Sequence, residues 1–68
     1  MVTLEQIQKR LSLAIKQSGM SQTELAKKIG VKQQQISCYI YGKTMPALDT
    51  FANLCIALDV DSKEILGV

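Results

Sequence analysis

Three consecutive glutamines, Gln33 to Gln35, follow Lys32 near the middle of the chain. A glutamine amide both donates and accepts hydrogen bonds, so it can pair with N6 and N7 of adenine in the major groove of duplex DNA. Such a pairing contributes about 1–3 kcal/mol of discrimination between bases. The same run of residues is also typical of the hydrated first turn of a helix that binds nothing. From the residues alone, both interpretations stay open.

Residues that carry other kinds of chemistry are scarce. The chain has no His, and its two cysteines, Cys38 and Cys55, form no CxxC pair. A structural zinc site takes about four such ligands, so we expect no metal and no cofactor. Neither a phosphate-binding glycine loop nor a serine–base pair nor a clustered carboxylate pair is present, so we expect no enzymatic activity. We interpret Cys55 as a small core residue, and Asp59 and Asp61 as helix-capping residues.

Charge is distributed unevenly along the chain. The net charge is only +2, but residues 1–45 carry seven basic and two acidic side chains, whereas residues 46–68 carry one basic and four acidic ones. The first part therefore has a net charge of +5 and the second a net charge of −3. This polarity predicts that one end of the molecule suits a polyanion.

The length and apolar content predict one small folded domain that spans residues 1–68. Its 68 residues are 47% hydrophobic, which is typical of a globular chain. No apolar run approaches the ~18 residues of a membrane span, and Glu5, Lys9 and Arg10 interrupt any N-terminal signal pattern. We therefore expect a cytoplasmic protein with reduced thiols, and Met1 suggests a complete chain.

Helix-capping residues recur along the chain and divide it into five short helices. Pairs with capping-box spacing begin three of them: Thr3–Gln6, Ser21–Glu24 and Asp61–Glu64. Gly19, Gly30 and Gly42 are predicted stops. The first helix is predicted over about 4–18 and the third over 33–41, while Pro46 is placed in the first turn of the fourth. No segment alternates with a period of two, so we predict an all-α, compact five-helix bundle.

Apolar residues at helical spacing predict the face that each helix buries. The predicted faces are Leu4, Ile7, Leu11, Ala14 and Ile15 in the first helix, Leu25, Ala26 and Ile29 in the second, Ile36, Tyr39 and Ile40 in the third, and Leu48, Phe51, Leu54, Cys55 and Leu58 in the fourth. The short fifth helix contributes Ile65 and Leu66. About three residues separate the second helix from the third, which is the spacing of a helix-turn-helix unit.

The segment from Ser21 to Val60 resembles the phage repressor and Cro-type (lambda-repressor-like, XRE-type) helix-turn-helix family. The matching features are Ser21-Gln22, Glu24-Leu25-Ala26, Gly30-Val31, Ile36-Ser37, Gly42-Lys43, Pro46 and Ala57-Leu58. The first helix fits as well, so the resemblance covers essentially the whole chain. It implies a five-helix bundle whose helices two and three form the helix-turn-helix. It also implies a bacterial or phage-encoded transcriptional regulator, a repressor, that binds a double-stranded DNA operator as a homodimer.

The resemblance assigns roles position by position. Base contacts are implied for Gln33, Gln34, Cys38 and Lys32. Phosphate contacts are implied for Gln22, Ser37, Tyr41 and Lys43. Tyr41 fits equally well as a residue that packs on helix four. The thiol of Cys38 is a poor donor and suits only contact with a thymine methyl group.

The chain departs from the family pattern at three positions. Ile15 and Ile40 stand where members often have an Arg and a Glu that form an ion pair, so we predict that the two isoleucine side chains contact each other instead. Lys32 stands where a capping Ser or Thr is common, and its ammonium group accepts no hydrogen bond. A different class of function also stays open, because domains of this fold act as protein-interaction modules such as toxin-neutralising antitoxins.

Overall fold

Five short helices account for most of the chain. The computed structural model describes residues 1–68 and shows α1 (Leu4–Gln17), α2 (Gln22–Ile29), α3 (Gln33–Tyr41), α4 (Leu48–Leu58) and α5 (Ser62–Leu66), with no strand. The Cα radius of gyration is 10.8 Å, close to the ~11 Å of a compact chain of this length. The predicted compact all-α bundle is therefore confirmed. None of its helices combines the length and the apolar character that a membrane span requires.

The helix starts agree with the predicted capping residues but differ in detail. At α1 the capping box is complete: Thr3 Oγ1 accepts from the Gln6 amide at 3.2 Å, and Gln6 Oε1 accepts from the Thr3 amide at 3.0 Å. At α2 only the Ser21 half forms, with Ser21 Oγ accepting from the Glu24 amide at 3.1 Å. The capping side chains of α1 and α2 were therefore predicted correctly. The reciprocal bond predicted from the Glu24 side chain does not form.

The starts of α4 and α5 correct two predictions. Asp61 Oδ1 accepts from the Lys63 amide at 2.9 Å, and the expected box with Glu64 does not form. Pro46 lies outside α4, because the next residue, Ala47, is still extended (φ −63°, ψ 163°) and serves as the N-cap without a side-chain acceptor. The placement of Pro46 in the first helical turn was wrong.

The core combines side chains from all five helices. Its thirteen buried members are Leu11, Ile15, Leu25, Ala26, Ile36, Tyr39, Ile40, Phe51, Leu54, Cys55, Ala57, Leu58 and Ile65. Ile15 and Ile40 both belong to this core, Ile15 on α1 and Ile40 on α3. Their direct contact stays a prediction.

Two residues of the predicted buried faces are exposed instead. Leu4 is 69% exposed and Leu48 is 86% exposed. Each is the first residue of its helix, and Leu48 shares its face of α4 with Ala52 and Ile56, which are exposed as well. Apolar periodicity indicates which face of a helix is buried but not how far along the helix the cover extends.

Two side chains of α1 form hydrogen bonds to the C-terminal ends of two other helices. Gln8 Nε2 donates to the carbonyl oxygens of Tyr39 at 3.2 Å and Ile40 at 3.1 Å, at the end of α3. Arg10 Nη1 donates to the Ile65 carbonyl at 3.3 Å, near the end of α5. The last carbonyls of a helix have no partner within the helix, so these bonds satisfy groups that would otherwise need water.

Candidate nucleic-acid interface

A tight turn joins α2 to α3. Gly30 adopts the left-handed conformation (φ 76°), and its amide donates to the Ala26 carbonyl at 2.9 Å, which ends α2. The Val31 amide donates to the same carbonyl at 3.0 Å. Only residues 30–32 separate the two helices, so α3 begins immediately after the turn. The element pair therefore has the geometry of a helix-turn-helix.

The core fixes the orientation of α3. Ile36, Tyr39 and Ile40 are buried on its inner side. With that side held in the bundle, the first turn faces outward, and the side chains of Lys32, Gln33, Gln34 and Gln35 are all exposed. Ser37 and Cys38, further along, are half-buried. The polar surface that the DNA-reading hypothesis requires is therefore accessible.

The three glutamines are not equivalent. Thr23 Oγ1, on α2, donates to Gln33 Oε1 at 3.2 Å, so one lone pair of that carbonyl is engaged within the protein and the amide is oriented before any ligand arrives. Gln35 Oε1 accepts from the Lys32 amide at 3.0 Å and so caps its own helix. Gln34 makes neither kind of bond. It is the glutamine with both functions of its amide available to a partner.

The N-cap residue of α3 offers no side-chain acceptor to the amides of the first turn. A lysine ammonium group only donates, so Lys32 leaves the amides of the first turn without the cap that a Ser or Thr would provide. Only the half of a capping box that Gln35 supplies is formed. The free amides and the helix dipole both favour an anion at this end, where a nucleic-acid phosphate would satisfy them.

The residues expected to contact DNA phosphates lie on α3 or on the segments next to it. Gln22 is the first residue of α2 and is half-buried, while Ser37 is half-buried on α3. Lys43 is exposed in the loop after α3, and its amide donates to the Cys38 carbonyl at 3.0 Å. Tyr41 is 69% exposed, which argues against the alternative that its ring packs on α4.

The side chains that hold this surface in position were not identified from the sequence. Thr23 orients Gln33 across the turn, and Gln8 holds the far end of α3 from α1. Polar residues at the surface of predicted helices carry no local sign of such a role. Only the long-range packing of α1 against α3 reveals the role of Gln8.

The two cysteines have different environments. Cys55 is buried among the residues of α4, as predicted for a core residue, whereas Cys38 is half-buried on α3. Burial raises the pKa of the Cys55 thiol above its ordinary value, and the nearby Asp61 carboxylate raises this pKa further. No grouping of three or more potential metal ligands exists in the molecule.

Comparison with known proteins gives one match. The family described as Helix-turn-helix matches residues 11–65. This range contains every residue discussed above for base or phosphate contact, from Gln22 to Lys43. Neither the comparison with curated proteins nor that with solved structures finds a match.

Proposed function

Because this chain belongs to the lambda-repressor-type (XRE) helix-turn-helix family of DNA-binding regulators, we propose that it is a sequence-specific transcriptional repressor that reads the major groove with α3. The observation that carries this proposal is the exposed first turn of α3, with Gln33 and Gln34 on a helix whose opposite side is buried. A helix of this kind fits the major groove, and its N-terminal residues reach base edges.

Base reading is assigned chiefly to Gln34. Its amide has no protein partner and can pair bidentately with an adenine. Gln33, oriented by Thr23, presents its Nε2 as a donor, which suits a purine N7 or a phosphate. Lys32 and Cys38 flank these two residues, and the Cys38 thiol suits a thymine methyl group.

Phosphate contacts set the position of α3 on the duplex without reading sequence. We assign them to Gln22 at the start of α2, to Ser37 and Tyr41 on α3, and to Lys43 after it. The uncapped N-terminus of α3 adds to this set, because helix N-termini favour phosphate. All of these residues belong to the segment 1–45, whose net charge of +5 suits a polyanion.

Two copies would place their α3 helices in successive major grooves, about 34 Å apart, on a near-palindromic operator. A bound pair would repress by excluding polymerase from the promoter. This function needs no cofactor and no catalysis, and we propose that the protein acts as a single domain in the cytoplasm.

Selection of bound sequences from a random duplex pool tests the proposal directly. We expect an enriched site, and Gln34→Ala is expected to weaken binding to that site by about 1–3 kcal/mol while leaving binding to random DNA nearly unchanged. Gln17→Ala, which removes an exposed glutamine at the end of α1, is the matched control and should bind like the wild type. An equal loss on both duplexes for Gln34→Ala would contradict base reading.

A second candidate is a protein-interaction module of the antitoxin type. The observation that favours it is exposed apolar surface on α4, where Leu48 and Ile56 both lie open. Duplex binding measured at two salt concentrations separates the candidates. Binding that weakens steeply with salt supports the DNA function, and no binding at low salt supports the alternative.

A further inference from the structure

The outer side of α4 carries an unpartnered apolar stripe. Leu48, Ala52 and Ile56 follow one another at intervals of four residues, so they lie along one face of the helix, and all three are exposed. Leu48 is 86% and Ile56 is 78% exposed. These three residues are called the α4 stripe below. A contiguous exposed apolar patch bordered by polar residues is typical of a surface that binds another molecule.

Opposite charges lie on the two sides of the α4 stripe. On one side of Ile56 is a groove lined by Lys28 and Ile29 from the end of α2. On the other side is a groove lined by Asp59, Val60 and Asp61 from the α4–α5 corner. The order across the stripe is therefore basic, apolar, acidic. A surface with this order is complementary to itself.

We propose that the α4 stripe is the contact between two copies of this chain, paired about a two-fold axis that runs along α4. Such an axis lays the stripe of one copy on the stripe of the other with the helices parallel. It also carries Lys28 of each copy to the side where the other copy has Asp59 and Asp61. The small Ala52 at the centre lets the helix axes approach to about 8–10 Å.

The parallel arrangement, rather than an antiparallel one, follows from where the DNA-reading residues lie, and so rests on the proposed function. Gln34 and Cys38 of α3 line a groove together with Thr44 and Met45, which lead into the N-terminal end of α4. Parallel α4 helices therefore keep both α3 helices on the same side of the pair, where one duplex can meet them. Antiparallel α4 helices would direct the two α3 helices to opposite ends.

The expected pair is weak. Two helical turns cover well under the ~800 Å² per partner of a stable complex, while the whole chain exposes 4610 Å². We expect a dissociation constant on the order of tens of micromolar, which DNA binding would reinforce by holding two copies side by side.

Sedimentation velocity of the full chain without DNA, from about 1 µM to about 1 mM, tests the proposal. We expect a monomer–dimer equilibrium that Ile56→Glu weakens at least about tenfold. Leu4→Glu is the matched control, since it alters an equally exposed leucine outside the α4 stripe, and it should dimerise like the wild type. A wild-type chain that stays monomeric, or equal losses in the two variants, would overturn the proposal.

Charge reversal tests the arrangement. Lys28→Glu should weaken the dimer, and adding Asp59→Lys should restore it, whereas adding Asp49→Lys should not. Asp59 has a positive φ of 55°, so Asp59→Asn, which suits that backbone, is a second variant and should weaken the dimer alone. Restoration by Asp49→Lys would indicate antiparallel helices and overturn the parallel pairing.

A last measurement separates this proposal from the proposed function. Ile56→Glu should still bind a duplex with a single half-site as the wild type does, because α3 is unchanged. If the wild type dimerises through the α4 stripe but binds no duplex, the proposed function fails while the self-contact stands without its DNA-based orientation. If Ile56→Glu loses dimerisation but keeps half-site binding, the α4 stripe and the DNA-binding surface are separate, as we expect.

Discussion

The side-chain amide of Gln8 on α1 donates to the carbonyl oxygen of Ile40 at 3.1 Å and to that of Tyr39 at 3.2 Å. These carbonyls belong to the last turn of α3, whose first turn carries the candidate base-reading residues. One glutamine in the middle of α1 thus fixes the far end of the helix that we propose reads DNA.

Removing the hydrogen bonds of the Gln8 side chain should destabilise the fold. Gln8→Ala deletes two hydrogen bonds to half-buried carbonyl groups, and we expect the free energy of unfolding to fall by about 1–2 kcal/mol. Urea denaturation measures this change. Gln17→Ala, at an exposed position of the same helix, should change the free energy by less than about 0.5 kcal/mol. A Gln8→Ala protein as stable as the wild type would show that water replaces the amide at no cost.

A comparison of two glycines measures how closely the Gln8 side chain packs against Gly42. Gly30 and Gly42 have nearly the same left-handed backbone (φ +76° and +74°), but a Cβ on Gly30 would meet nothing within 4 Å, whereas one on Gly42 would lie 3.0 Å from Gln8 Cδ. Gly30→Ala should cost about 1 kcal/mol from the backbone alone, and Gly42→Ala should cost about 1 kcal/mol more.

The excess at Gly42 should depend on Gln8. In a Gln8→Ala background, Gly42→Ala should cost no more than Gly30→Ala does, because the side chain that it displaces is gone. Thermal or urea unfolding of the four variants completes the double-mutant cycle. Additive costs would mean that the Gln8 side chain moves aside without losing its hydrogen bonds.

The salt dependence of duplex binding tests Lys43. This lysine is exposed in the loop after α3, and a lysine on a phosphate releases roughly one counterion. Lys43→Ala should weaken binding to all sequences alike and make the slope of log K against log salt shallower by about one. Lys63→Ala, on α5 near the acidic corner, should leave the slope unchanged. An unaltered slope for Lys43→Ala would remove this residue from the phosphate contacts.

The two thiols should differ in reactivity. Cys38 is half-buried at the surface, whereas Cys55 is buried with a raised pKa, so less of it is thiolate near its ordinary pKa of 9.0. In the folded protein a thiol-alkylating reagent should modify Cys38 first and reach Cys55 only as the chain unfolds, which mass spectrometry resolves. A duplex that covers α3 should protect Cys38. Equal rates for the two thiols would contradict the burial of Cys55.

The same pKa shift has a consequence for stability. The folded state holds the Cys55 proton more tightly than the unfolded chain does, because burial and Asp61 disfavour the thiolate. The contribution of Cys55 to stability is therefore full below its ordinary pKa and declines as the pH rises past about 9. Replacing Cys55 by Ala, a residue that does not ionise, should remove this part of the decrease in the free energy of unfolding at alkaline pH.

Local features of the sequence were sufficient for the helices and for the exposed side of α3. Thr3, Ser21 and Asp61 each cap the helix that follows, and the apolar spacing of Ile36, Tyr39 and Ile40 identifies the buried side of α3. Both kinds of signal act within a few residues, so no knowledge of the packing is needed to interpret them.

Features that depend on distant segments were missed. Gln8 and Arg10 bond to carbonyls 31 to 55 residues away, and nothing near them in sequence indicates a partner. Leu48 was expected in the core because it precedes Phe51 and Cys55 at helical spacing, but it lies on the face of α4 that no element covers, and the path of the whole chain decides which face that is. The same residue became part of the α4 stripe once its exposure was known.

The position of α1 between the ends of α3 and α5 has a consequence for motion. Gln8 and Arg10 lie two residues apart on one helix and hold the two ends from opposite sides. If α1 detaches, both ends are released at once. Opening of α1 should therefore speed solvent exchange of backbone amides in both α3 and α5, and it would remove one support of the surface that we propose binds DNA.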